Sequence, residues 1–249
     1  FAGLVAGKVF QGDYDPVKWA DVVTTTTHKT LRGPRGGMIL CKEEFAESVD
    51  KGCPLVIGGP LPHVMNAKLV ALEEADSDSF RSYASKIVEN SKALAKAFMK
   101  RGVKVMTGGS DNHLLLLDVT PFGLNGRMSE TILRECGITL NRNALPFDPN
   151  GPWYTSGLRL GSAAVTTLGM GEKEMEEIAD IISFVLSSSH PVILTKGERK
   201  GEMSKIKAKA DKSVMEEARN RVHALLSSFP LYPTLDLEWL EKEFIKQDN

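Results

Sequence analysis

Hydrophobic and polar positions along the chain follow two periods. From Val22 to Thr27 every residue is β-branched, and such side chains are stiff at χ1 and suit a pleated, buried strand better than a helix. The segment predicts a strand over residues 20–27 that ends at His28 and Lys29. Gly33-Pro34 and Gly36-Gly37 then turn the chain back into a second short apolar strand, Met38–Cys41. Lys42–Asp50 is rich in helix formers, and Lys51–Leu61, which contains Gly58-Gly59, reads as a loop before a helix beginning near residue 62. Phe80, Tyr83, Ala84, Ile87, Ser91, Leu94, Ala95 and Phe98 recur at helical spacing, with Asp78 as the expected N-cap and Gly102 just past the end.

Beyond that helix, Val103–Thr107, His113–Val119, Gly137–Leu140 and Gly157–Gly161 read as strands, with helices over about 127–136, 171–188 and 212–228. The pattern changes near Asp76–Ser79, which divides the chain into an α/β part over residues 1–77 and a smaller α/β domain over residues 78–249. The lysine-rich stretch Lys196–Lys212 is interleaved with Glu198, Glu202 and Asp211 and reads as a solvated linker or helix face.

Composition narrows the classes of function. The 249 residues are 42% hydrophobic, enough for one large or two modest cores. A formal net charge of −1 gives no basic field to attract nucleic acid, so small molecules are the expected partners. No apolar run approaches the roughly 20 residues of a membrane helix. The opening residues lack the basic start of a secretory signal, and the missing initiator methionine suggests a piece of a longer chain that opens within a domain. Cys41, Cys53 and Cys136 are widely spaced and form no metal motif, and Cys41 reads as a small buried hydrophobe; a reducing cytoplasm fits best. No metal site is expected. His113 and His223 lie in apolar surroundings and read as satisfied core histidines, while His63 and His190 have no partner at ligand spacing.

Two stretches carry candidate chemistry. Lys29 stands at a strand end, where α/β sheets bind ligands, and an amine held there in a partly dry pocket loses basicity and becomes a nucleophile towards carbonyls. The second stretch, residues 141–161, is a loop of polar, proline and aromatic residues leading into a strand. There Arg159 alternates with Leu158 and Leu160 and points to the opposite face. A guanidinium facing a pocket can hold a carboxylate through two parallel hydrogen bonds.

The string Val-Val-Thr-Thr-Thr-Thr-His-Lys-Thr-Leu-Arg-Gly-Pro-Arg-Gly-Gly, residues 22–37, resembles the cofactor-lysine segment of the serine hydroxymethyltransferase family. The likeness runs from residue 1 to about 190 and includes Gly-Gly-Pro-Leu at 58–61, Asn-x-Asn-x-x-Pro at 141–146 and Ser-Gly-x-Arg-x-Gly at 156–161. It implies an α/β fold of the aspartate-aminotransferase type, in which residues 1–77 are the C-terminal part of the large cofactor-binding domain. It also implies pyridoxal 5'-phosphate held covalently on Lys29, with Thr26 beneath the cofactor and His28 beside its phosphate. Arg35 would lie next to the lysine loop, keeping the amine unprotonated by like-charge repulsion. Gly58 and Gly59 would cradle a phosphate across the interface of a homodimer. Arg159 would bind the α-carboxylate of serine or glycine, and Asn143, Gly151, Pro152 and Trp153 would contact tetrahydrofolate. The family's Asp-x-Ala-His element, which meets the cofactor ring, would precede Phe1.

Departures from the pattern are Gly151 and Trp153, where serine and phenylalanine are common, Leu168 in place of an arginine, and Cys-Pro-Leu-Val-Ile at 53–57 in place of Phe-Pro-Gly-x-Gln-Gly. The implied reaction interconverts serine plus tetrahydrofolate with glycine plus 5,10-methylenetetrahydrofolate. The alternatives are a folate-independent enzyme of the threonine aldolase kind and a non-catalytic fragment or oligomerisation partner.

Overall fold

The computed structural model describes residues 1–245. A short helix α1 (Ala2–Ala6) and two 3-10 turns lead into the hairpin formed by β1 (Val22–Thr26) and β2 (Gly37–Cys41). The two strands pair antiparallel with Thr26 opposite Gly37, so residues 27–36 form the loop at the hairpin's end and carry Lys29. This loop is tied to itself: Thr27 Oγ1 donates to the Pro34 carbonyl at 2.6 Å, and Gly33 N–H donates to the Thr27 carbonyl at 2.8 Å. A Cβ on Gly33 would lie 2.8 Å from that same carbonyl, so a larger residue would force the turn open.

The strand positions match expectation, but their burial does not. Val22, Ile39 and Leu40 are exposed and Cys41 is half-buried, because the hairpin has no third strand or covering layer among the described residues.

Helix α2 (Glu43–Ile57) overturns the reading of residues 51–57 as loop. The helix seeded by Lys42–Asp50 runs through Pro54, which lies in its last turn and removes a single backbone donor, and stops where Gly58 takes φ +69°. α3 (Pro62–Ala75) begins with proline at its first position, where no amide donor is needed. α4 (Asp78–Lys100) buries the expected face, including Phe80, Ile87, Leu94 and Phe98, but its cap is Ser77 rather than Asp78. The Ser77 hydroxyl accepts from Phe80 N–H at 3.2 Å, and Asp78 instead pairs with Arg81 one turn along.

The remaining elements are β3 (Lys104–Val105), β4 (Leu114–Asp118), α5 (Gly126–Glu135), β5 (Asn141–Asn143), β6 (Gly157–Gly161), α6 (Ala163–Thr167), α7 (Glu172–Ser187), β7 (His190–Ile193), β8 (Met203–Lys209), α8 (Lys212–Ser227) and α9 (Leu237–Leu240). β3, β4, β6 and β5, in that order, make an antiparallel sheet. Phe98 of α4, Leu133 of α5, Ile182 and Leu186 of α7 and Met215 of α8 close over Leu117 and Leu158 to form the main core. The expected α/β character holds.

Three strand readings change. The strand expected at Gly137–Leu140 instead starts four residues later, at Asn141, as β5, because Gly137 at φ +86° is spent closing α5. The strand expected over Val103–Thr107 shrinks to two residues, since Thr107 and Gly108 take positive φ. Within Lys196–Lys212, the linker or helix-face reading fails: residues 203–209 form β8, paired antiparallel with β7. No described helix is long and apolar enough to cross a membrane, and the described residues offer no cluster of His, Cys, Asp or Glu able to hold a metal ion.

Candidate active site

The hairpin-end loop, the start of β4, strand β6 and helix α6 meet around a cleft of about 570 Å³ whose lining includes His28, Lys29, Arg32, Tyr83, His113 and Arg159. Lys29 and Arg159 come from opposite ends of the chain's middle, so the fold brings the two candidate groups to one space. Arg159 reaches it because Leu158 and Leu160 turn into the core and leave its side chain on the other, exposed face of β6. Its Nε donates to Asn141 Oδ1 at 3.2 Å across the β5–β6 ladder, which leaves the terminal nitrogens for a ligand.

The cleft is cationic and its imidazoles are unpaired. His28 and His113 each present a buried Nδ1 with no hydrogen-bond partner. The His113 pKa is lowered to about 4, first by burial and then by nearby positive charges, those of Arg159 and Lys29 among them. The ring is therefore neutral at physiological pH. This overturns the reading of His113 as a satisfied core histidine: it is half-buried, unpartnered and part of the cleft wall. His223, also expected in the core, is exposed on α8. In the sequence, His113 is marked only by standing directly before the apolar run Leu114–Leu117.

Arg32 lines the cleft as well, at φ +58°, with its guanidinium 4.2 Å from the centre of the Tyr83 ring. Arg35, the arginine named from sequence, is exposed and is not among the lining residues. Thr26 is the half-buried last residue of β1, directly before the loop. Gly58 and Gly59 sit exposed past the end of α2, with nothing within 4 Å of where a Cβ would stand, and they take no part in this cleft.

The loop candidates lie at the far end of β5 and β6. Asn143 pairs with Gly157 at the end of the ladder. Gly151 and Pro152 form an exposed turn, and Trp153, 58% exposed, lies under the Arg127 guanidinium at 4.5 Å with that of Arg142 at 5.5 Å. The Asp148 carboxylate ties this turn together by accepting from the amides of Leu145, Asn150 and Ser156 and from the Ser156 hydroxyl. Those hydrogen bonds hold its pKa below the usual carboxylate value against the opposing effect of burial.

An amine and a guanidinium facing one cleft, with two imidazoles in its wall whose Nδ1 atoms lack a partner, can grip an α-amino acid by its acid end beside a nucleophilic nitrogen. Comparison with known proteins makes the class specific. The family model for serine hydroxymethyltransferase matches residues 1–182. The serine hydroxymethyltransferase of Treponema pallidum is 57% identical over 247 residues, covering 99% of this chain and 42% of the relative. That of Salinispora tropica is 53% identical over 237 residues, 95% of this chain and 49% of the relative, and that of Chlamydia trachomatis serovar D is 52% identical over 240 residues, 96% and 48%. The chain belongs to the serine hydroxymethyltransferase family and spans about half the length of the curated relatives it matches.

Proposed function

We propose that this chain supplies the cofactor lysine and the substrate arginine of a serine hydroxymethyltransferase. The reading rests on one observation: Lys29 and Arg159, far apart in sequence, line the same cleft. The residues there suit pyridoxal phosphate. Lys29 offers an amine for the aldehyde, the buried unpartnered Nδ1 of His28 wants a hydrogen-bonding partner, and the surrounding cations favour a phosphate and a carboxylate. The bound cofactor would supply an electron sink for charge left on the amino acid's α-carbon.

The chain's own groups then have separate tasks. Lys29 anchors the cofactor, Thr26 and His28 come just before it in the chain, and Arg159 clamps the α-carboxylate. A fixed carboxylate sets which bond at the α-carbon is aligned for cleavage. Asn141 keeps the Arg159 fork aimed by occupying its Nε. Arg32, stacked on Tyr83, is the arginine on the cleft wall where Arg35 was expected.

Asn143, Gly151, Pro152 and Trp153 form a polar and aromatic ledge suited to the flat ring of tetrahydrofolate. A homodimer, with Gly58 and Gly59 of one subunit reaching the other's site, accounts for a glycine pair that lies away from its own cleft. It also accounts for the apolar Leu55, Val56 and Ile57, which are 85%, 82% and 73% exposed. The cytoplasm is the compartment this reading expects.

The test uses the full-length protein. Given pyridoxal phosphate it is expected to develop a visible absorption band that borohydride bleaches and that Lys29→Ala abolishes, and to cleave serine faster when tetrahydrofolate is present. A band that survives Lys29→Ala would remove the lysine from its role, and cleavage indifferent to tetrahydrofolate would point to an aldolase.

A further inference from the structure

We propose that Arg32 and Tyr83 are positioning residues that set the spacing between Lys29 and Arg159, and through it the preference for an α-amino acid over a longer one. The inference rests on the roles given above to Lys29 and Arg159 and adds what holds the two at a working distance.

Under those roles the ligand's amine meets the aldehyde cofactor at Lys29 while its carboxylate meets Arg159. One carbon separates amine from carboxylate in an α-amino acid and two in a β-amino acid, so a fixed gap between the protein's two groups selects the shorter ligand. Strand pairing does not fix that gap, because the β1–β2 hairpin and the sheet that holds β6 are separate.

Helix α4 joins them instead. Three successive loop residues are held in place: Thr30 Oγ1 accepts from the amide of Gly3, Leu31 is buried with Ala75 and Phe80, and Arg32 lays its guanidinium 4.2 Å from the centre of the Tyr83 ring. The Arg32 amide also donates to the Lys29 carbonyl at 2.9 Å, so the residue stacked on α4 closes the turn that carries the lysine. Four residues along the helix, the Ile87 carbonyl accepts from the buried Ser162 hydroxyl at 2.7 Å, and Ser162 directly follows β6. Tyr83 and Ile87 lie about 6 Å apart along the axis of a rigid helix. The lysine loop and the arginine strand are thus fastened to neighbouring turns of one element. Arg32 takes φ +58°, a conformation that glycine adopts more easily, and what the arginine adds there is its reach to Tyr83 and, at 5.5 Å, to Phe80.

The test takes two readings on the full-length protein. Without cofactor, hydrogen exchange follows the amides of Arg32 and Gly33, which donate to the Lys29 and Thr27 carbonyls, with the amides of β4 as the control. With pyridoxal phosphate bound, absorbance titrations give the affinities for glycine and β-alanine. Tyr83→Leu is expected to speed exchange at both loop amides and leave β4 unchanged. Arg32→Gly removes the guanidinium but suits the positive φ, which spares the turn. Each variant is expected to weaken glycine about twofold to fivefold, the range of an exposed cation–π contact, and to lower the ratio of glycine to β-alanine affinity by the same factor. The double variant should be no worse than either single one, since both remove one contact. Arg32→Lys and Tyr83→Phe, which keep a cation and a ring, should stay near the wild type.

Unchanged loop exchange in Tyr83→Leu, or an unchanged affinity ratio in either variant, overturns the inference. So does an additive loss in the double variant, which would mean that Arg32 touches the ligand itself. Arg159→Lys tests the parent reading separately: it should weaken both ligands, and if it weakens neither, the assignment of Arg159 falls and takes the inference with it.

Discussion

The carboxylate of Asp148 accepts hydrogen bonds from three backbone amides and one hydroxyl, all within the loop that joins β5 to β6. Each amide lies in a turn with no ladder partner, so the side chain does the work that a strand neighbour would otherwise do. Asp148→Asn keeps the shape but exchanges one acceptor oxygen for a donor that faces donors. We expect it to cost about 1–3 kcal/mol, read as a lower urea midpoint, and to weaken tetrahydrofolate more than serine. His113 gives a second check at this scale. Its imidazole resonances should titrate with a midpoint of about 4 rather than at the ordinary 6.5. A midpoint near 6.5 would mean that the ring is solvated and the cleft open.

Helix α5 controls the same loop from the other side. Its first amides, Gly126 and Arg127, donate to the carbonyls of Thr155 and Tyr154, and a Cβ on Gly126 would lie 2.1 Å from Thr155 Oγ1. The Arg127 guanidinium then covers Trp153. Arg127→Ala is expected to free the indole, at about 0.5–2 kcal/mol for the lost cation–π contact. In a Trp19→Phe, Trp239→Phe background, the Trp153 emission should shift red and its anisotropy fall; unchanged emission would show that the stack does not hold the ring.

The sequence made some of these elements easy to read and hid others. α4 and β6 were legible because their own apolar periods match the faces they bury. β8 was hidden by charge: Lys205, Lys207 and Lys209 alternate with Ser204, Ile206 and Ala208, a strand period that looks like a solvated run until β7 supplies its partner. Lys29 and Arg159 could be named from local context. The choice of Arg32 over Arg35 could not, because it depends on how a positive-φ turn aims one of two nearby side chains at Tyr83.

Over the whole molecule, ion pairs link the helices that back the sheet. Arg221 of α8 donates to both carboxylate oxygens of Glu177 and to Asp180 on α7, and Asp180 also accepts from Arg101 at the end of α4. Arg221→Ala should lower the melting temperature. The carboxylates are partly solvent-exposed, so the loss is discounted to about 1 kcal/mol and should shrink at high salt; a loss unaffected by salt would assign it to packing instead.

Acid acts on the molecule in two stages. The His113 pKa is lowered from 6.5 to about 4 in the folded chain. As pH falls through that window the unfolded chain takes up a proton that the folded chain refuses, and stability drops. Asp118, Asp148 and Asp180 also have lowered values, below the ordinary 3.8. Their hydrogen bonds and ion pairs contribute fully above that pH and are lost as it falls further. Urea midpoints measured from pH 7.5 down to 3 should therefore begin to decline below about 6.5 and decline again below about 4. His113→Gln has no proton to take up in the upper window, so it should flatten that part of the curve and leave the lower part alone. If the two proteins lose stability in parallel between pH 6.5 and 4, the histidine is not the group that first feels acid.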